Sequence, residues 1–264
     1  MITTLLALAL LQDGLPTDKD ADAAVRKLKE TAADAGDDAK IAAIQEALVL
    51  RHEAVIRAVA SMIASETERV TIGGVLALGD TDHPVAAELV AKMVATRVKQ
   101  APVLAALCSA LGKLGWQNGV GPLVEIVKKV GDADVRPVVP EALNALGQIG
   151  STAGVDAAID LLRKLDGRGR DPWRNEGEMR QAANGALRAM IGGEGANRSL
   201  EWDNYWRDNR QKLAAQAKTT WWVKSTMQRT TTGPGEKAPA DALAVVTRVV
   251  DPQPEQPKGK RKKP

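Results

Sequence analysis

The chain has no phenylalanine, one tyrosine (Tyr205), one cysteine (Cys108) and two histidines among 264 residues. Each scarcity closes off a class of protein. A single cysteine forbids an internal disulfide framework. Two isolated histidines, His52 and His83, do not make a zinc site, and neither lies near Cys108 in sequence, as a cysteine nucleophile would require. Beyond a short N-terminal run, no segment approaches the ~18 consecutive apolar residues that span a bilayer. No strand precedes a glycine-rich loop in the manner of phosphate-binding motifs; the Leu-Gly-x-x-Gly stretches close helices instead of opening them. No cofactor, metal or catalytic residue is expected.

What is present is 44% apolar and 26% charged residues, a soluble globular composition long enough for one or two domains. Ala, Leu and Val carry the apolar fraction, which favours helices packed closely through small side chains. The net charge of +3 is unevenly spread: residues 218–264 hold 10 basic and 4 acidic side chains, and residues 1–217 hold 26 and 29. The basic end, with Lys260, Arg261, Lys262 and Lys263, could touch nucleic acid, anionic lipid or acidic protein. A charge run of this length reads first as a solvated tail. Residues 218–264 are Thr-, Pro- and Lys-rich linker and tail, expected to be largely disordered, around an apolar island at 240–250.

At the start, "MITTLLALALLQ" carries an apolar run over residues 5–11 followed by polar, acidic sequence. It resembles a shortened signal peptide over residues 1–17, which would export the chain to the periplasm or beyond. It has no Lys or Arg ahead of the run, and its small-x-small site (Ala7, Ala9) falls inside it. A first helix of the fold and a misassigned start codon are the alternatives. Without a signal the protein would be cytoplasmic.

Set against itself at an offset of 35, the middle of the chain aligns without gaps. Val85, Val120 and Val155 coincide. So do Leu111, Gly112, Leu114 and Gly115 with Leu146, Gly147, Ile149 and Gly150. At an offset of 36, Leu78 and Gly79 fall on Leu114 and Gly115. Each unit holds two stretches of helical apolar period joined by a short turn, so the pattern predicts stacked helix hairpins, an all-α α-solenoid. Expected helices run over 20–34 with 37–51, 53–65 with 68–79, 84–98 with 101–114, 119–130 with 134–149, and 153–165 with 177–191. In the 134–149 helix, Val135, Val138, Val139, Ala142, Leu143, Leu146 and Ile149 form the buried stripe. Asp134 is expected to cap it and Pro140 to bend it. Cys108 falls on the corresponding stripe and reads as core.

"DADVRPVVPEALNALGQIGS" resembles the second helix of the bacterial HEAT-like repeat family, whose consensus runs Asp, Val-Arg, spaced alanines and Ala-Leu-Gly-x-Ile-Gly. "GEMRQAANGALRAMIGG" resembles it again, with Met179-Arg180 in the Val-Arg place. The likeness covers about residues 37–213 and weakens in the first hairpin, as a capping unit requires. "SLEWDNYWRDNRQKL" is similar to the aromatic closing helix of exported bacterial members. Trp202, Tyr205 and Trp206 sit there on one face as a lid over the last hairpin. The domain is expected over 18–217.

The resemblance implies a non-enzymatic, monomeric scaffold that binds a protein partner through the face of its second helices, including Arg136, Glu141, Asn144 and Gln148. An eight-residue insertion within "DGRGRDPWRNEGEMR" adds Arg168, Arg170, Trp173 and Arg174, residue types enriched in binding hot spots. Two alternatives stay open: a nucleic-acid-binding protein like the HEAT-like DNA glycosylases, and a lyase-type enzyme like the phycobilin lyases. The mildly acidic body argues against nucleic acid, and no pigment-related motif is legible.

Overall fold

Thr17 opens the first helix. The Asp20 backbone N–H donates to its hydroxyl and the Asp20 carboxylate accepts the Thr17 N–H at 2.9 Å, a reciprocal cap that satisfies two otherwise orphaned donors. The computed structural model describes residues 16–33, 35–167, 175–193 and 195–213, and no strand occurs among the described residues. They all belong to one compact unit that ends at Leu213. The N-terminal run over 5–11, Arg168, Arg170, Trp173 and Arg174 of the insertion, and the tail with Lys260, Arg261, Lys262 and Lys263 lie outside the described residues.

The unit is an all-α solenoid of five helix hairpins and a closing helix. The hairpins are α1 (Asp18–Ala32) with α2 (Asp37–Leu48), α3 (Glu53–Ile63) with α4 (Glu68–Gly79), α5 (Pro84–Thr96) with α6 (Ala101–Leu114), α7 (Val120–Lys128) with α8 (Val139–Ile149), and α9 (Val155–Asp166) with α10 (Glu176–Ile191). Helix α11 spans 199–213. The odd-numbered helices α1 to α9 pack each on the next in one row, and the even-numbered helices do the same in a second row.

The even row is held at backbone distance. A Cβ placed on Gly79 would lie 2.9 Å from the Cα of Ala110, one on Gly112 would lie 2.9 Å from the Cα of Ala145, and one on Gly147 would lie 3.1 Å from the Cα of Ala186. Carbon atoms normally settle at about 3.5–4.0 Å, so only glycine permits this seam. The other glycines of the same stretches do the second job. Gly115 (φ 66°) and Gly150 (φ 71°) take the left-handed conformation and donate to the carbonyls of Leu111 and Leu146 at 3.0 Å, which ends α6 and α8. Gly79 differs from the sequence register that sets it on Gly115. It belongs to the seam, and α4 ends on Asp80 at φ −87°.

The link before α8 also departs from expectation. Neither Pro137 nor Pro140 has an N–H to give, so the chain makes a 3₁₀ turn over Arg136–Val138 and starts the α-helix afresh at Val139. Pro140 then falls in a first turn, where no donor is needed, and no bend of a longer helix arises. Asp134 does not cap it. The organising carboxylate is that of Asp132, whose Oδ1 accepts the Asp134 N–H at 3.0 Å.

The predicted stripe of α8 is buried throughout, from Val135 to Ile149, and Cys108 is buried beside it on α6. Polar bonds pin successive hairpins together. Lys40 meets Glu66 at 2.8 Å, Lys113 meets Asp80 at 2.9 Å, and the Gln117 amide donates to Ser151 Oγ at 3.2 Å.

Candidate protein-binding face

The two rows differ in how they meet solvent. Helices α3, α5, α7 and α9 display charges that pair within their own helix: Arg57 with Glu53 at 2.8 Å, Lys92 with Glu88 at 2.6 Å, Lys128 with Glu125 at 2.9 Å and Arg163 with Asp160 at 2.5 Å. Each is an exposed pair three or four residues apart, worth about 0.3–0.5 kcal/mol, and such a surface is content in water.

The even helices each leave one stripe open. On α4 it holds half-buried Ile72 and Leu76, and on α6 half-buried Ala105 and Ser109. On α8 it holds half-buried Glu141 with exposed Asn144 and Gln148, and on α10 exposed Gln181 and Gly185. Spacings of three, four and seven residues follow from the helical repeat once the seam glycines and buried alanines take the flanks. Gln148 lies against Gly112 of the neighbouring helix, so its amide crosses the α6–α8 seam. Amides, a hydroxyl and apolar groups therefore occur across four helices together with the Glu141 carboxylate, and the even row also carries the Asp38–Arg69 and Asp80–Lys113 pairs.

Of the residues singled out by sequence, Glu141, Asn144 and Gln148 come together on this face. Arg136 does not join them. Its guanidinium turns back on the α7–α8 link and donates to the carbonyls of Val130 and Gly131, each at 3.0 Å. Its own carbonyl accepts the Asn175 amide at 3.3 Å, which ties the next link to it.

Cys108 and the two histidines have structural surroundings. Burial pushes the Cys108 thiol up to about 12, with the Glu141 carboxylate adding to the effect, so it stays protonated and inert near neutral pH. Both histidines are helix caps, which sequence reasoning missed. His52 Nδ1 accepts the Ala54 N–H and His83 Nδ1 accepts the Val85 N–H, each at 3.2 Å. Their position immediately before a helix start was the available signal. Burial holds the His83 imidazole below its ordinary value, against an opposing pull from Glu53. No cluster of three or more His, Cys, Asp or Glu side chains that could hold a metal ion occurs among the described residues.

Helix α11 closes the C-terminal hairpin. Trp202 and Trp206 are buried, and each indole N–H finds an acceptor: Asn184 of α10 at 2.7 Å for Trp202, and Asp156 of α9 at 2.8 Å for Trp206. The Tyr205 ring meets Trp202 edge-on with centroids 6.3 Å apart, and its hydroxyl donates to the Ile191 carbonyl at 3.3 Å. Arg210 stacks over Trp206 at 5.5 Å while pairing with Asp156 at 3.6 Å. At the helix start, Asp166 accepts the Ser199 N–H at 3.1 Å and pairs with Arg180. Partial burial raises the Asp166 carboxyl, but the Arg180 guanidinium and the Ser199 bonds outweigh it and hold it below the usual carboxylate value. Arg180 also reaches Glu176 at 3.0 Å, so it clamps the two ends of the inserted link.

No family model matches the chain, and no curated relative matches it. Among solved structures, it is similar to a de novo designed 16-helix transmembrane nanopore at 16% identity over 80% of this chain and 67% of that chain. The TM-score is 0.18, and at that value the likeness carries no argument. No described helix is long and apolar enough to cross a membrane.

Proposed function

We propose that the chain is a non-enzymatic, HEAT-like repeat scaffold that holds a protein partner along the open stripe of α4, α6, α8 and α10. The observation that supports it is the contrast between the rows. Helices α3, α5, α7 and α9 pair charges within themselves, whereas α4, α6, α8 and α10 offer stripes of amide, hydroxyl and apolar groups, with the Glu141 carboxylate among them, on backbones held close by glycine. Fixed spacing presents several weak contacts at once and lowers the ordering penalty on binding. Asn144, Gln148 and Ser109 are the central contacts in this reading, with Glu141 supplying the charge. Arg136 contributes indirectly by closing the α7–α8 link.

The experiment is a quantitative pull-down from the source organism with three forms of the full chain. They are the wild type, an even-face variant (Ser109→Glu with Asn144→Arg), and an odd-face control (Lys92→Glu). Proteins captured by wild type and control but lost by the even-face variant support the proposal. Capture that survives the even-face variant, or that is lost with the control, overturns it.

A further inference from the structure

Six carboxylates are half-buried among the described residues: Asp37, Glu66, Glu88, Glu141, Glu176 and Asp203. Five of them have a side-chain partner. Asp37 accepts the Thr67 hydroxyl at 2.9 Å, and Glu66, Glu88, Glu176 and Asp203 pair with Lys40, Lys92, Arg180 and Arg163. Glu141 has neither an ion pair nor a hydrogen bond among the described residues. A carboxylate taken partly out of water normally recovers its lost hydration from a cation or a donor. The first turn of α8 favours the charge through the helix dipole but supplies no side-chain partner. The unmet demand lies on the open face of the even row.

The glycine seam sets what stands around it. Gly79 meets Ala110, and Gly112 meets Ala145 and Gln148, so successive even helices are held in register. At one level Leu76, Ser109 and Asn144 lie side by side, and one turn nearer the helix starts so do Ile72, Ala105 and Glu141. The stripe is therefore graded: apolar on α4, small on α6, acidic and amide-bearing on α8. We infer, resting on the protein-binding role proposed above, that this face takes an extended basic segment of the partner. A Lys or Arg side chain docks on Glu141, and an apolar side chain covers Ile72 and Leu76. Ser109 and Asn144 line the path between these anchors with a hydroxyl and an amide. An extended chain leaves backbone N–H and C=O groups free to meet them, whereas a helix consumes its own. Packed helices lie about 8–10 Å apart, so α4 and α8, two steps apart, are separated by about 16–20 Å. At about 3.3 Å per residue, the two anchors of an extended segment fall about five or six residues apart.

The probe is a library of random dodecapeptides selected on the full chain, with circular dichroism to show that each variant is folded. Wild-type selection should enrich peptides with Lys or Arg about five or six residues from Leu, Ile, Val or Met. Glu141→Gln should weaken the selected peptides about tenfold, the size of one charge-assisted hydrogen bond. Glu141→Arg should reject them and bind counterparts whose basic residue is replaced by Glu, a reversal that a merely structural role of Glu141 would not produce. Truncating the peptide's apolar residue to alanine should cost less on Leu76→Ala than on the wild type. Selected peptides that show no basic preference, or that bind Glu141→Gln as well as the wild type, overturn the inference. Peptides that also bind the Ser109→Glu with Asn144→Arg variant sit elsewhere and overturn it as well. An empty selection refutes it too, and in each case the pull-down described above judges the face itself.

Discussion

Substituting alanine for Gly112 puts the glycine seam to a direct test. The new Cβ would lie 2.9 Å from the Ala145 Cα and 3.1 Å from its Cβ, in space that the Gln148 side chain also occupies. Ordinary carbon contact needs about 3.5–4.0 Å, so α6 and α8 must part locally by roughly half an ångström or more. Overpacking of this kind costs about 1–3 kcal/mol. Alanine in a helix interior returns about 1 kcal/mol through lower chain entropy. The net expectation is a loss of about 1 kcal/mol. Gly185 on α10 supplies the control, because nothing lies within 4 Å of a Cβ there. Gly185→Ala therefore keeps the whole propensity gain and stabilises by up to about 1 kcal/mol. The two variants should differ by about 2 kcal/mol, roughly 4–8 °C in a domain of this size. Urea and thermal unfolding by circular dichroism measure both. If Gly112→Ala rises in stability alongside Gly185→Ala, the row relaxes freely and the claim that glycine sets the helix spacing is wrong.

Other predictions follow from single residues. Gly150→Ala should lose about 1 kcal/mol by denaturant unfolding, because φ 71° is left-handed and no clash contributes, and Gly150→Asn should lose less. His83 has a folded-state value below its ordinary 6.5, so the unfolded chain takes up the proton first. Its contribution is complete above about pH 6.5 and is lost as pH falls through 6.5 toward the folded value. His83→Asn keeps a capping acceptor and should flatten that stretch of the stability–pH curve, whereas His83→Ala should cost about 1 kcal/mol at neutral pH. Trp202→Ala empties a fully buried site and leaves Asn184 unpaired, with an expected loss of about 3–5 kcal/mol and early hydrogen exchange in α11. Alanine at Trp173 and Arg174 tests the inserted link. Unchanged pull-down partners in a folded double variant would remove that segment from the binding surface.

Much of the fold was legible because its ends are punctuated. Helices α4 and α6 run over the expected 68–79 and 101–114, where Thr67 and Gly115 mark boundaries that any reader of caps and left-handed glycines can find. The stripe from Val135 to Ile149 was readable because burial follows the 3.6-residue period. The failures have local causes. Two prolines at a spacing of three traded a long helix for a 3₁₀ turn and a new start, a choice made by backbone donors that apolar periodicity does not report. Gly79 looked like a helix terminator because it follows Leu78 as Gly115 follows Leu114, yet the distance to Ala110, a tertiary fact, gives it its job. The histidines were weighed as zinc ligands or as partners to a nucleophile, and the plain alternative of an imidazole Nδ1 capping the next helix was overlooked. For the candidate face, Glu141, Asn144 and Gln148 were found by exclusion from the stripe. Exclusion could not show that the Arg136 side chain folds back to its own link.

The aromatic helix also bears on how the array stops. A hairpin stack ends in a surface shaped to receive another hairpin, and a chain exposing both a receiving and a donating end can join head to tail into a filament that never closes. By filling the α9–α10 end with Trp202 and Trp206, and satisfying both indole N–H groups there, α11 removes one of the two complementary ends. Filament growth needs both, so one well-anchored terminator blocks head-to-tail growth of this kind. Sedimentation velocity on Trp206→Asp should reveal concentration-dependent oligomers, and a sharp monomer boundary at high concentration would rule this out.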